Sequence, residues 1–168
     1  MPYELNDDVP AEGIPLPDYY ELDPPRLARV QAAMQRRAAE AGLPYRAPEI
    51  VANTRKAHLL AEYAREQGRL GPVHKALFHA YFAEGWNLGD DDVLRRVAAA
   101  AGLEPDAALA AVRDPRYAQA HAANLERARG LGIAVVPTIV VAERHRIVGM
   151  KTYAELREAL SQIAAGLV

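Results

Sequence analysis

Apolar residues recur along most of this chain at intervals of three and four, the spacing that lines one face of an α-helix. Only near the C-terminus does the pattern change to continuous β-branched runs. Leu27, Val30, Met34, Ala38 and Ala41 form the first helical stripe, opened by Asp23-Pro24-Pro25 and closed by Gly42 and Pro44. Asn53 or Thr54 caps a second helix that buries Ala57, Leu60, Ala61 and Ala64 and stops at Gly68. Pro72 opens a third, in which Val73, Ala76, Leu77, Ala80 and Tyr81 make a stripe widened by Phe78 and Phe82; it is expected to be the most buried of the set. Asp90 caps a fourth that runs to Gly102, Pro105 starts a short fifth, and Asp114-Pro115 starts a sixth whose inner face reads as Ala118, Ala122, Leu125 and Ala128. Thr152 and Glu155 form a capping box for the last helix, striped by Leu156, Ala159, Leu160 and Ile163.

The β signal is confined to Ile133–Val141 and Arg146–Val148, so a sheet must be built there. Proline donates nothing to a ladder, which puts Pro137 at the head of a strand continuing through Val141. The opening residues hold Pro2, Pro10, Pro15, Pro17, Pro24 and Pro25, a density that leaves at most a short strand at Tyr3–Leu5 before an extended, wrapping loop. The pattern predicts a small sheet, with its strands at the two ends of the chain, and about seven helices.

With 168 residues, 51% of them apolar and 25% charged, the chain is long enough for one globular domain with a sizeable core. A formal net charge of −2 leaves no basic footprint, so neither nucleic acid nor an anionic membrane is expected as a partner. No run of apolar residues is long enough to span a bilayer, and Glu4, Asp7, Asp8 and Glu12 replace the basic flank of a secretion signal, which reads as a cytoplasmic chain. There is no cysteine. That count removes a disulfide scaffold, a cysteine nucleophile and a thiolate metal site from this polypeptide.

The remaining candidates for chemistry are few. Arg26, Arg29, Arg36 and Arg37 flank the first helical stripe and read as its solvated face. Asp90, Asp91 and Asp92 are consecutive, whereas a calcium loop alternates its oxygen ligands and adds a glycine and a distal glutamate, so they read as a helix cap and first turn. His74 and His79 stand five apart, the wrong spacing for a helical zinc pair. His58 reads as a partly buried helix residue, and His121 and His145 as surface residues. The lone serine, Ser161, lies in no nucleophile turn, and no glycine-rich phosphate cradle is present. No cofactor or metal is expected.

Gly132-x-x-x-x-Pro137-Thr138 in a strand, then a polar turn, a second strand ending at Gly149 and a capped terminal helix, resembles the closing half of a thioredoxin-fold domain. The opening Pro2-Tyr3-Glu4-Leu5-Asn6-Asp7-Asp8-Val9-Pro10-Ala11-Glu12-Gly13 is similar to the segment after the second strand in FrnE-like members of the DsbA family. Asn53-Thr54-Arg55-Lys56-Ala57-His58 and the aromatic helix around Phe78 and Phe82 resemble that branch's helical insertion. The resemblance implies an α/β, thioredoxin-like (DsbA-like) fold, mostly helical, as a single domain over residues 1–168 with an insertion at about 53–129. It implies further that the Val136–Pro137 bond is cis, and that Val136, Pro137 and Thr138 border a groove for an extended peptide or protein substrate.

In that family a Cys-x-x-Cys motif precedes the Pro-Phe/Tyr-Glu-Leu-Asn segment, between a first strand and a first helix. Here Met1 stands almost at that segment, so the chain reads as an N-terminally truncated member of the thiol–disulfide oxidoreductases, redox-inactive by itself. A vacant central strand would leave an open sheet edge able to pair two copies into a homodimer. Two other readings stand beside this one. The first is a redox-dead thioredoxin-fold module that binds peptides or proteins. The second is a glutathione-using relative of the 2-hydroxychromene-2-carboxylate isomerases and kappa-class transferases, which share the insertion.

Overall fold

Side-chain caps and prolines set where the helices begin. In the computed structural model, which describes residues 8–166, β1 (Ile14–Pro15) and the one-turn α1 (Leu16–Tyr19) precede α2 (Pro24–Glu40), whose N-cap Asp23 accepts a hydrogen bond from the Arg26 N–H at 2.7 Å. Then come β2 (Ile50–Val51), α3 (Arg55–Glu66), α4 (Leu70–Phe82), α5 (Asp91–Ala100), α6 (Pro105–Val112) and α7 (Pro115–Gly130). The hairpin strands β3 (Thr138–Val141) and β4 (His145–Val148) and the helix α8 (Tyr153–Ala164) complete the order. From residue 53 to residue 129 the only regular elements are helices. The strand expected at Tyr3–Leu5 lies outside the described residues.

The proline-rich opening is less irregular than its composition predicts. Pro17 falls in the first turn of α1, where its fixed φ suits a helix and its missing N–H costs nothing, and Ile14–Pro15 pairs antiparallel with Ile50–Val51. The wrapping loop is held by side chains. Asn53 Nδ2 donates to the Val9 carbonyl at 2.5 Å and Asn87 Nδ2 to the Glu12 carbonyl at 3.3 Å. A side chain at Gly89 would meet the Ala11 carbonyl at 2.7 Å, which is why the loop passes over a glycine there.

The chain forms two compact units, Met1–Ala122 and Ala123–Val168, with the boundary inside α7. In the first, Leu60, Val73, Leu94, Ala98, Leu109 and Tyr117 belong to one buried cluster contributed by α3 to α7. The most buried helix is α3 rather than α4: Ala57, Leu59, Leu60, Ala61, Glu62 and Ala64 are all buried, whereas α4 buries Val73, Leu77 and Ala80. Because α3 packs on both α4 and α6, it is covered on more than one face; Phe78 of α4 points outward at 65% exposure, stacked on Phe82. The apolar pattern of the sequence predicts the opposite for both.

His121 is the second correction. It is fully buried, and its ring stacks on His58 with centroids 5.0 Å apart. The residues buried on α7 are Tyr117, His121 and Ala128, so Ala128 lies inside as the sequence predicts, while in the first half of the helix the inner face sits one position back from the expected Ala118 and Ala122. Alanines at 118, 120, 122 and 123 make several faces nearly equal in apolarity; the large Tyr117 ring, edge-on to Tyr63, takes the core and brings His121 in behind it.

In the second unit, β3 and β4 pair antiparallel with Thr138 opposite Val148 and Val141 opposite His145. The helix α8 opens with the Thr152–Glu155 capping box, both of its reciprocal bonds formed. Its contacts are with β4, and none of its residues is fully buried. Among the described residues, no helix is long and apolar enough to cross a membrane.

Candidate functional site

Of the residues singled out by the sequence, Val136 and Pro137 end the link between α7 and β3, and Thr138 is the first residue of β3. The helix ends where Gly132 takes a left-handed φ of +64° and the Ile133 N–H reaches back to the Ala128 carbonyl at 3.0 Å. Arg146 of β4 fastens that end: its Nη1 donates to the carbonyls of Leu131 at 2.9 Å and Gly132 at 3.0 Å, placing a cation at the negative end of the α7 dipole. No spacing rule in the sequence marks Arg146 for this work, because the contact depends on the hairpin's fold-back.

The Val136–Pro137 peptide bond is cis. Beyond it the Pro137 carbonyl accepts the Gly149 N–H at 2.9 Å, and the Thr138 hydroxyl donates to the Val135 carbonyl at 2.5 Å, so the loop is tied to the hairpin at one end and to itself at the other. Two groups are left over. Among the described residues, neither the N–H nor the carbonyl of Val136 is engaged by another backbone group, and β3 is paired along one edge only, by β4. The side chains of Val135, Val136 and Ile139 are exposed beside these groups, Val136 at 43%. Val135 and Ile139 extend the site beyond the three residues picked from the sequence; an uninterrupted β-branched run carried the signal, but not which side chains stay outside.

Chemically, this arrangement offers hydrogen-bonding backbone and apolar surface. It offers no nucleophile and no acid–base group: the chain has no cysteine, and nothing titratable lies between Gly132 and Val141. The groups that do titrate abnormally lie elsewhere and serve structure. Lys56 Nζ bonds Asp91 Oδ1 at 2.6 Å and holds that carboxyl below its usual range, helped by Arg113 at 2.7 Å. Burial raises Tyr117, whose hydroxyl also donates to Glu66 at 2.8 Å, and burial raises Tyr81, which donates to the Ile50 carbonyl at 2.8 Å. No three histidine or acidic side chains among the described residues converge as metal ligands would.

Comparison with known proteins follows the fold. A probable DsbA oxidoreductase from Streptomyces coelicolor superposes with a TM-score of 0.87 at 26% identity, over 95% of this chain and 72% of the other. A 2-hydroxychromene-2-carboxylate isomerase (TM-score 0.71, 18% identity, 85% of this chain and 71% of the other) shares the fold. So does a candidate protein disulfide isomerase from Nitrosomonas europaea (TM-score 0.67, 16% identity, 86% and 76%). No protein of curated function matches by sequence. The model of the DSBA-like thioredoxin domain matches residues 1–161, and with hairpin, terminal helix and helical insertion in its order, the chain belongs to the DsbA-like thioredoxin family.

Proposed function

We propose that this is a cytoplasmic, FrnE-like member of the family, a single DsbA-like domain. In it Val136, Pro137 and Thr138 receive an extended stretch of polypeptide, and the sulfur for any thiol–disulfide exchange comes from outside these 168 residues. The observation that carries the reading is the edge of β3 that no described strand pairs, with exposed Val135, Val136 and Ile139 beside a peptide group at Val136 that no described backbone group engages. A polypeptide in β conformation pairs with such an edge through its main chain, and its alternate side chains settle on the apolar surface. The site is therefore a recognition surface, selective for extended, unfolded or flexible segments. Exchange itself needs a thiolate, and this chain has none to offer. The same edge accepts a second copy of the chain, because an unpaired strand does not discriminate between its own kind and a substrate.

Two measurements test this. Insulin reduction by dithiothreitol should proceed at the buffer rate in the presence of the purified chain; acceleration would mean that chemistry other than thiolate attack is at work. The carboxymethylated insulin B chain, labelled for fluorescence anisotropy, should bind, and Val136→Lys should weaken it by about tenfold, the effect of placing a charge on a desolvated contact. Undiminished binding by Val136→Lys and by Ile139→Lys together would remove the site from this loop. Sedimentation across a concentration series reads the second copy: self-association abolished by Ile139→Lys belongs to the β3 edge, and self-association that survives it does not.

A further inference from the structure

The groove between β4 and α8 has the two properties of an anion site with an apolar body: an uncharged floor and a rim of one sign. It is an open depression with a volume of about 500 Å³. Ile147, the most buried residue of the hairpin, forms the floor with Ala159 and Ile163 of α8. The small side chain at Ala159 leaves the space open. Around this floor stand Arg144, His145 and Lys151, and among the described residues no carboxylate lines the groove.

The acidic residues of this unit are engaged elsewhere. Glu143 pairs with Arg127 at 2.5 Å, Glu126 pairs with Arg129, Glu155 accepts the Thr152 N–H at 2.7 Å, and Glu158 accepts from Gln162 at 2.8 Å. Arg144 and Lys151 form no ion pair among the described residues, although Lys151 stands near enough to Glu155 to favour that carboxylate from a distance. Arg144 uses Nε to donate to His145 Nε2 at 2.9 Å. That bond makes Nε2 the acceptor, so the proton of a neutral His145 ring sits on Nδ1 and the ring is a further donor rather than a competing acceptor.

We infer that this groove is a second binding site, for a carboxylate carried on a hydrocarbon body: the acid group lies between Arg144 and Lys151, and the chain lies over Ile147, Ala159 and Ile163. The cavity is within the roughly 300–1,000 Å³ that small-molecule sites occupy. Neither half of the chemistry suffices alone. An inorganic anion would leave the apolar floor wet, and a neutral hydrocarbon would leave two cations facing solvent with nothing to neutralise them. The site is separate from the Val136–Thr138 loop and needs no thiol.

Decanoate is the probe, titrated into the 168-residue chain and followed by calorimetry and by amide shifts in two-dimensional NMR. Saturable binding is expected, with shifts concentrated in residues 144–163. Decanol, decyltrimethylammonium and acetate, which each lack one half of the chemistry, should bind about tenfold more weakly or worse. Lys151→Glu and Ala159→Phe, the first reversing a rim charge and the second filling the cavity, should each weaken decanoate by about tenfold. Arg157→Glu makes the same charge change on α8 outside the lining and should stay within about twofold. Equal binding of decyltrimethylammonium would reduce the groove to a greasy surface, and shifts reproduced by acetate would reduce it to a patch of charge. Either result overturns the inference, as would equal losses from Lys151→Glu and Arg157→Glu, or no saturation by decanoate. The ligand comparison uses unaltered protein, so it stands even if a variant does not fold.

Discussion

The helical unit and the ββα unit solve the problem of burial in opposite ways. In Met1–Ala122, five helices pool their apolar faces, and Leu60, Val73, Leu94 and Ala98 are essentially sealed from water. Among the described residues of Ala123–Val168, the only buried apolar ones are Ala128 and Ile147, while Val136, Ile139, Val148, Met150, Tyr153 and Leu160 are all exposed. Both units have well-formed secondary structure: Asp90 caps α5, the hairpin is in register and the capping box is complete. What differs is the supply of a second layer. A two-stranded hairpin with one helix has faces that a sheet of more strands would cover, and a hairpin alone is marginal in water. Stability is therefore concentrated in the unit with no candidate chemistry, and exposed apolar surface in the unit that carries the recognition loop.

The largest expected effect sharpens that contrast by making the same substitution on each side. Leu60→Ala removes a fully buried side chain from the middle of α3 and should cost about 2–5 kcal/mol in urea unfolding. Leu160→Ala, at 41% exposure on α8, should cost well under about 1 kcal/mol. Comparable losses would mean that the terminal unit is packed far more tightly than its exposure indicates, and the comparison would fail.

A smaller effect belongs to the helical unit alone. Asp91 bridges Lys56 of α3 and Arg113, which follows α6, and its carboxyl is held low chiefly by the Lys56 hydrogen bond. A carboxyl depressed in the folded state contributes stability above its unfolded value, and that contribution disappears as pH falls through the folded one. The bridge should therefore be intact at neutral pH and weaken below about pH 4. Asp91→Asn should destabilise by about 1 kcal/mol at pH 7, the surface ion-pair range, since the carboxylate is about a third exposed, and by less at pH 3. A cost that stays constant from pH 7 to pH 3 would assign the residue's role to its place in the first turn of α5 instead.

How far the sequence could be read follows from the same physics. Signals that act within one turn were legible: Asp23, Asp90 and Thr152 cap the helices they precede, and Pro137 stands at the head of β3. So was the candidate loop, because its β-branched run is unlike anything else in the chain. Signals that depend on what packs opposite were not. Nothing local distinguishes Phe78, which points into solvent, from Leu77 beside it, which is buried; only the positions of α3 and α5 decide it. The alanine-rich face of α7 gave too little contrast to fix its rotation, and His121 went to the wrong side. Arg146 and the cation-rimmed groove arise when β4 folds back between the end of α7 and the face of α8, a juxtaposition that no spacing encodes.

The smallest effect tests whether the weakness of the terminal unit begins in its turn. Ala142, Glu143 and Arg144 link β3 to β4; the first two have φ of +50° and +60°, and the Arg144 N–H closes the turn on the Val141 carbonyl at 3.3 Å. Both central residues sit in the left-handed region, which suits the twist of a hairpin but costs an L-residue with a Cβ about 1–2 kcal/mol. Asparagine and glycine tolerate it far better. Replacing the pair with Asn-Gly also removes the Glu143–Arg127 contact, but that bridge is exposed at both ends and is expected to contribute less than about 1 kcal/mol. The double substitution Ala142→Asn/Glu143→Gly should thus slow hydrogen exchange in the β3–β4 ladder by about threefold to tenfold, a gain of about 1 kcal/mol confined to the hairpin, while amides of α3 and α5 exchange as before. Slowing in both units would show that they open together, and the division between a self-sufficient helical unit and a locally stabilised hairpin would have to be given up.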